Sequence, residues 1–159
     1  MRLRASCSRG AWAGTLEVVS NPHRDTRAII EAYVDALRSG DVSRLPEIIA
    51  SEFRFRDGPP VGVEGFAAGV RTLRAGFSQI ACSIEQCVCE GDWGAFRFVL
   101  SGTHSGVFAG RAPTGRRLVW SGADFVRVRD GRLVELWPVQ ESLPLLEGLG
   151  VVVRVNAEG

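Results

Sequence analysis

A chain of 159 residues is about one domain long and can bury a single sizeable core. With 45% apolar residues, 23% charged residues and a formal net charge of +1, it is an ordinary globular composition without the electrostatic pull of a nucleic-acid or anionic-membrane binder. All 19 basic residues are arginines, scattered singly apart from Arg116-Arg117, so no phosphate-binding face is built. We expect no nucleic-acid partner and no membrane partner.

In chain order, residues 1–24 carry basic groups but no continuous apolar run, which makes a poor secretory signal. They are expected to form a flexible arm before a domain over 25–150, with 151–159 as a tail. Asp25 or Thr26 can cap a first helix to about Ser39, with Ile29, Ile30, Tyr33, Val34 and Leu37 at helical spacing. Gly40 ends it. A short second helix starts at Asp41 or Ser43 and carries Leu45, Ile48 and Ile49, with Pro46 in its first turn. Glu52–Asp57 alternates, Phe53 and Phe55 against Arg54 and Arg56, and predicts a strand. Val63–Phe77 predicts a third helix with Phe66, Val70, Leu73 and Phe77 on one stripe.

From Ile80 the period becomes two. Strands are expected at Ile80–Glu90, Ala95–His104, Arg117–Arg129 and Arg132–Gln140, with turns at Glu90-Gly91-Asp92 and Asp130-Gly131. A short apolar helix follows over Ser142–Leu149. Helices followed by a long meander predict an α+β fold, three N-terminal helices packed on a curved, mainly antiparallel sheet that encloses a ligand cavity. Strand parity places Cys87 and Cys89 on one face and Cys82 on the other. With no C-x-x-C pair and no metal-ligand spacing to His23 or His104, the cysteines read as buried free thiols, no metal is expected, and a reducing, cytoplasmic setting fits.

Asp124 lies mid-strand among apolar residues, where a carboxylate is costly unless it has a partner or a task. It shares parity with Gly122, Val126 and Val128, and His104 shares parity with Phe96, Phe98 and Leu100, so both belong to apolar faces and are expected to point into one cavity. Two readings of Asp124 stand: a catalytic or substrate-contacting acid, or a structural ion pair, for instance with Arg97. His104 is either a site residue, orienting Asp124 or donating to substrate, or a satisfied core residue. Tyr33, Phe55, Phe66, Phe77, Trp120 and Trp137 are core aromatics, some of which must line any cavity, and Gln140 is a remaining polar group on the last strand.

The ordered run Gly102-Thr103-His104-Ser105-Gly106-Val107-Phe108, Pro113-Thr114-Gly115-Arg116, Gly122-Ala123-Asp124, Arg127 and Asp130-Gly131-Arg132-Leu133-Val134-Glu135-Leu136-Trp137 resembles the SnoaL-like polyketide cyclases over roughly residues 25–150. The resemblance implies a cone-shaped α+β barrel of the ketosteroid-isomerase type. It also implies ring closure by aldol chemistry on a polyketide-derived small molecule without metal or organic cofactor, by a homodimer. Relatives in the superfamily open epoxides, dehydrate, isomerise or only bind. Carried over by motif, Asp124 matches the family's acid/base aspartate and His104 the histidine of its G-T-H motif. Leu136 and Pro138 stand where relatives often have a histidine and an acid, and Arg56 stands where the first strand often has a histidine. A homodimer also fits the pattern of the fourth strand, because Phe125 and Arg127 alternate away from Asp124 onto the outer sheet face.

Overall fold

The structure, a computed structural model, describes residues 22–151. The expected N-terminal arm lies outside them, save for residues 22–24, which open the first helix. Of the expected tail only Val151 is described. The elements run α1 (Pro22–Ser39), α2 (Leu45–Ile48), β1 (Ile49–Phe55), α3 (Gly62–Gly76), β2 (Phe77–Glu90), β3 (Trp93–His104), β4 (Arg117–Arg129), β5 (Arg132–Gln140) and α4 (Ser142–Gly148). The five strands form one curved mixed sheet in the order β1-β5-β4-β3-β2. β1 pairs parallel to β5 and every other pair is antiparallel. The helices cover its inner face, giving the α+β arrangement expected from the order of elements.

The boundaries move where a tertiary contact outweighs local pattern. Thr26 lies inside α1 rather than capping it, because it is buried and its hydroxyl donates across to the Gly91 carbonyl at 2.9 Å. Ile49 leaves the second helix and opens β1, where it pairs with Leu133 of β5. Phe77 leaves the third helix and opens β2 opposite His104. The switch falls at Gly76, whose carbonyl accepts from the Ser105 and Gly106 amides at 3.0 and 3.1 Å.

β3 and β4 pair without a break from Trp93↔Arg127 to Thr103↔Arg117, so parity is reliable there. β2 is different. Its register slips against β3 between Ser78 and Ala81 and again between Ile84 and Gln86. Each slip inserts an extra residue and turns the following side chains over. As a result Cys87 and Cys89 face Phe96 and Gly94 on the same inner side as Cys82, opposite Leu100, against the expectation from simple alternation. These three thiols are free. Among the described residues no helix is long and apolar enough to cross a membrane.

Candidate active site

A cavity of about 360 Å³ lies between the inner face of the sheet and α1, α3 and α4. Leu37, Val70, Leu73, Phe98, Leu100 and Leu136 make most of its wall apolar. Among the described residues, the side chains that bring polar atoms to it are Tyr33, Thr72, Trp120, Asp124 and Gln140. It is large enough for a small polycyclic ligand, and its lining favours one with few polar groups.

Asp124 sits at this wall, 1% exposed, between Phe96 of β3 and Pro138 of β5. Its Oδ2 accepts from the Tyr33 hydroxyl at 2.8 Å, while Oδ1 has no hydrogen-bond partner among the described residues. Burial pushes the carboxyl up to about 6, and the bond from Tyr33 opposes the rise. Burial, followed by the nearby Asp124 charge, raises Tyr33 well above its ordinary value, so its hydroxyl stays protonated and remains a donor. Tyr33 is held by edge contacts to Phe66 and Phe96, with ring centroids 5.4 and 5.8 Å away. Helical spacing on α1 brings it to the cavity and two strands bring Asp124, so the pair is a long-range product of the fold. The expected alternative partner, Arg97, lies on the outer sheet face opposite Ala123 and makes no ion pair with Asp124. Among the described residues the carboxylate's one partner is a neutral donor, and no cation compensates its charge.

His104 is fully buried but does not line the cavity beside Asp124. It is eight residues along β3 from Phe96, the residue opposite Asp124, which corresponds to roughly 25 Å of strand. The expectation that both side chains enter one cavity together is therefore corrected: parity gave the right face and said nothing of position along it. The Thr114 amide donates to its Nδ1 at 3.3 Å, with the Thr114 hydroxyl 3.1 Å away. Since a backbone amide can only donate, Nδ1 accepts and the proton of the neutral ring sits on Nε2, which has no partner among the described residues.

The cavity brings together Tyr33, Phe55, Phe66, Trp120, Asp124 and Gln140 from the sequence candidates. It does not include Phe77, Arg56 or Trp137. Phe77 lies behind the wall, against His104, Phe108 and Trp120. Arg56 has left-handed backbone (φ 52°) just past β1, and its guanidinium donates to the Pro138 carbonyl at 2.9 Å from an exposed position. Trp137 follows the alternation of β5 to the outer face and packs on Trp93, with ring centroids 5.6 Å apart. Arg127 lies over Trp93 on that same face, and Glu135 receives both Arg54 and Arg127. Thr72 and Phe108 also line the cavity, and neither follows from a sequence period. Thr72 falls off the apolar stripe of α3. Phe108 sits on a loop, where period carries no information, although its place in the G-T-H-S-G-V-F run was a usable signal.

The family model for SnoaL-like polyketide cyclase matches residues 27–149. The aklanonic acid methyl ester cyclase DauD of Streptomyces sp. (strain C5) is 29% identical over 119 residues, covering 69% of this chain and 73% of that protein. Among solved structures, IdmH of Streptomyces antibioticus is 32% identical with a TM-score of 0.67, covering 79% of this chain and 99% of that one. AclR of Streptomyces galilaeus is 26% identical with a TM-score of 0.74, covering 85% and 87%.

Proposed function

This chain belongs to the SnoaL-like polyketide cyclase family, and from that premise we propose that it closes a ring in a polyketide-derived intermediate by aldol chemistry, with Asp124 as the acid/base group and no cofactor. The observation that carries this is a buried carboxylate in an otherwise apolar cavity, one oxygen held by Tyr33 and the other without a partner among the described residues. Oδ1 takes a proton from carbon α to a substrate carbonyl. The resulting enolate carbon forms a bond to a second carbonyl carbon of the same molecule. The oxygen of that carbonyl becomes an alkoxide and recovers the proton from Asp124. A carboxyl raised to about 6 suits both halves, because it is ionised at neutral pH and is still basic enough to remove an activated proton. The ester named for DauD, aklanonic acid methyl ester, is the first substrate to test.

The pH profile tests this assignment. kcat/KM should climb with pH to a plateau, with its midpoint near 6, as Asp124 loses its proton. Tyr33→Phe removes a hydrogen bond that stabilises the charged form, so the midpoint should move upward by about one to two pH units, given roughly 1.5–3 kcal/mol for a bond to a charged group. A profile that is flat between pH 5 and 8, or one that Tyr33→Phe leaves in place, would exclude Asp124 as the base.

A second reading has support from Leu136 and Pro138, both of which line the cavity. Because these two positions add no acid or base beside Asp124, ring closure driven by the shape of the pocket is the competing mechanism, and Asp124→Asn separates the two.

We also propose that the chain works as a homodimer through the outer sheet face. Val88, Trp93, Val119, Phe125 and Val139 are all exposed there, Val88 at 69% and Phe125 at 51%, an apolar set that a second copy of the chain would cover. Sedimentation should give twice the chain mass, and Phe125→Glu should halve it. A monomer at micromolar concentration would refute the arrangement.

A further inference from the structure

We propose that His104 is a positioning residue: it latches the loop after β3 so that Phe108 closes one end of the cavity, and Phe108 thereby sets the size of ligand admitted. This rests on reading the cavity as the substrate site. Residues 109–117 are all exposed, so burial does not hold this loop in place. Hydrogen bonds do. At its start, Ser105 and Gly106 donate to the Gly76 carbonyl, and Gly106 passes so close to α3 that a Cβ there would lie 1.9 Å from the Ala75 oxygen. At its return, three bonds converge on one residue. The Gly115 amide donates to the His104 carbonyl at 2.9 Å, the His104 amide donates to the Arg116 carbonyl at 2.9 Å, and the Thr114 amide donates to His104 Nδ1 at 3.3 Å.

Between these anchors the loop turns on itself, Phe108 and Arg111 exchanging backbone bonds at 3.1 and 2.9 Å. The turn directs Phe108 inward to the cavity wall. Its ring packs edge-on against Phe77 at 5.0 Å and over Gly76, where a Cβ would come within 2.6 Å. Phe77 in turn lies on the His104 ring at 5.4 Å. His104 therefore touches both the return of the loop and the ring on which Phe108 rests, far along the strand from Asp124. Of its two ring nitrogens only Nδ1 is engaged by the described residues, so an acceptor at the δ position is the feature that matters.

Binding of two flat phenols, 2-naphthol and the larger 1-hydroxypyrene, followed by their fluorescence, tests this on the full chain with Asp124 intact. Phe108→Ala should improve hydroxypyrene over naphthol on the order of tenfold, the scale on which small changes in an apolar pocket discriminate ligands. His104→Phe keeps an aromatic ring but loses the acceptor, and should shift the ratio in the same direction. His104→Asn restores an acceptor at the δ position and should bring the ratio back to that of the unaltered protein. Thr114→Pro deletes the donating amide from the exposed side of the loop and should behave like His104→Phe even if the latter fails to fold. An unchanged ratio in Phe108→Ala, a folded His104→Phe or Thr114→Pro with the original ratio, or a His104→Asn variant no better than His104→Phe would each overturn the proposal. Because binding rather than turnover is read, failure of the acid/base mechanism leaves this result standing. Absence of binding of both phenols to the unaltered protein at millimolar concentration would instead remove the cavity as a ligand site and both readings with it.

Discussion

Asp124→Asn should lower turnover by about 10²–10⁴-fold, the usual cost of losing a general base, while the chain stays folded. The amide has nearly the shape of the carboxylate, and its oxygen can still accept from Tyr33, so the cavity wall keeps its form. What it loses is the ability to take a proton at the Oδ1 position, which has no partner among the described residues. The loss should appear mainly in kcat, since nothing in the apolar lining that binds the substrate is altered. Rates measured with a substrate the unaltered enzyme turns over, beside the melting curve of the same variant, decide the matter. Near-normal turnover from a folded Asp124→Asn protein would sink the acid/base mechanism and leave pocket shape as the source of catalysis.

The sequence disclosed the parts that obey a period. Regular pairing of β3 with β4 made alternation a safe guide, and it put Asp124, Trp120, Phe98 and Leu100 on the inner face, where they line the cavity. Helical spacing did the same for Tyr33 and Phe66. Parity cannot show distance along a strand, so it grouped His104 with Asp124 although they serve different ends of the β3–β4 ribbon. It cannot foresee bulges, so it misassigned the faces of the cysteines on β2. It also cannot see partners that arrive from other elements. The Tyr33–Asp124 bond joins residues 91 positions apart, and only the assembled fold shows that this carboxylate is met by a phenol instead of an arginine. Trp137 shows the opposite case: strand parity puts it on the outer face, where it packs on Trp93, and a general expectation that aromatics are core outweighs that signal.

The same substitution should stabilise the protein, and only above a definite pH. Asp124 stands at about 6 in the folded chain against an ordinary 3.8, so the folded state holds its proton more tightly than the unfolded state does. Where the folded state binds more protons, stability falls as pH rises. The contribution of this group is therefore fully present below pH 3.8, declines between 3.8 and about 6, and is lost above that, a fall of about 3 kcal/mol. An asparagine at this position cannot ionise and escapes the fall. At pH 7.5 the variant should melt several degrees above the unaltered protein, on the rough scale of 2–4 °C per kcal/mol for a chain of this size. At pH 4 the two should melt together, or the variant slightly lower, since a buried amide is itself not free of desolvation cost. Reversal of this pattern, with Asp124→Asn less stable by roughly 3–5 kcal/mol at neutral pH, is what a carboxylate paired with a buried cation would give, since the substitution would then leave that cation without its partner. The two outcomes have opposite sign, so a pair of melting curves at two pH values suffices. The expected gain would also mean that the folded chain tolerates a desolvated, ionised carboxylate at the wall of its cavity, a cost that an acid/base function explains and a structural one does not.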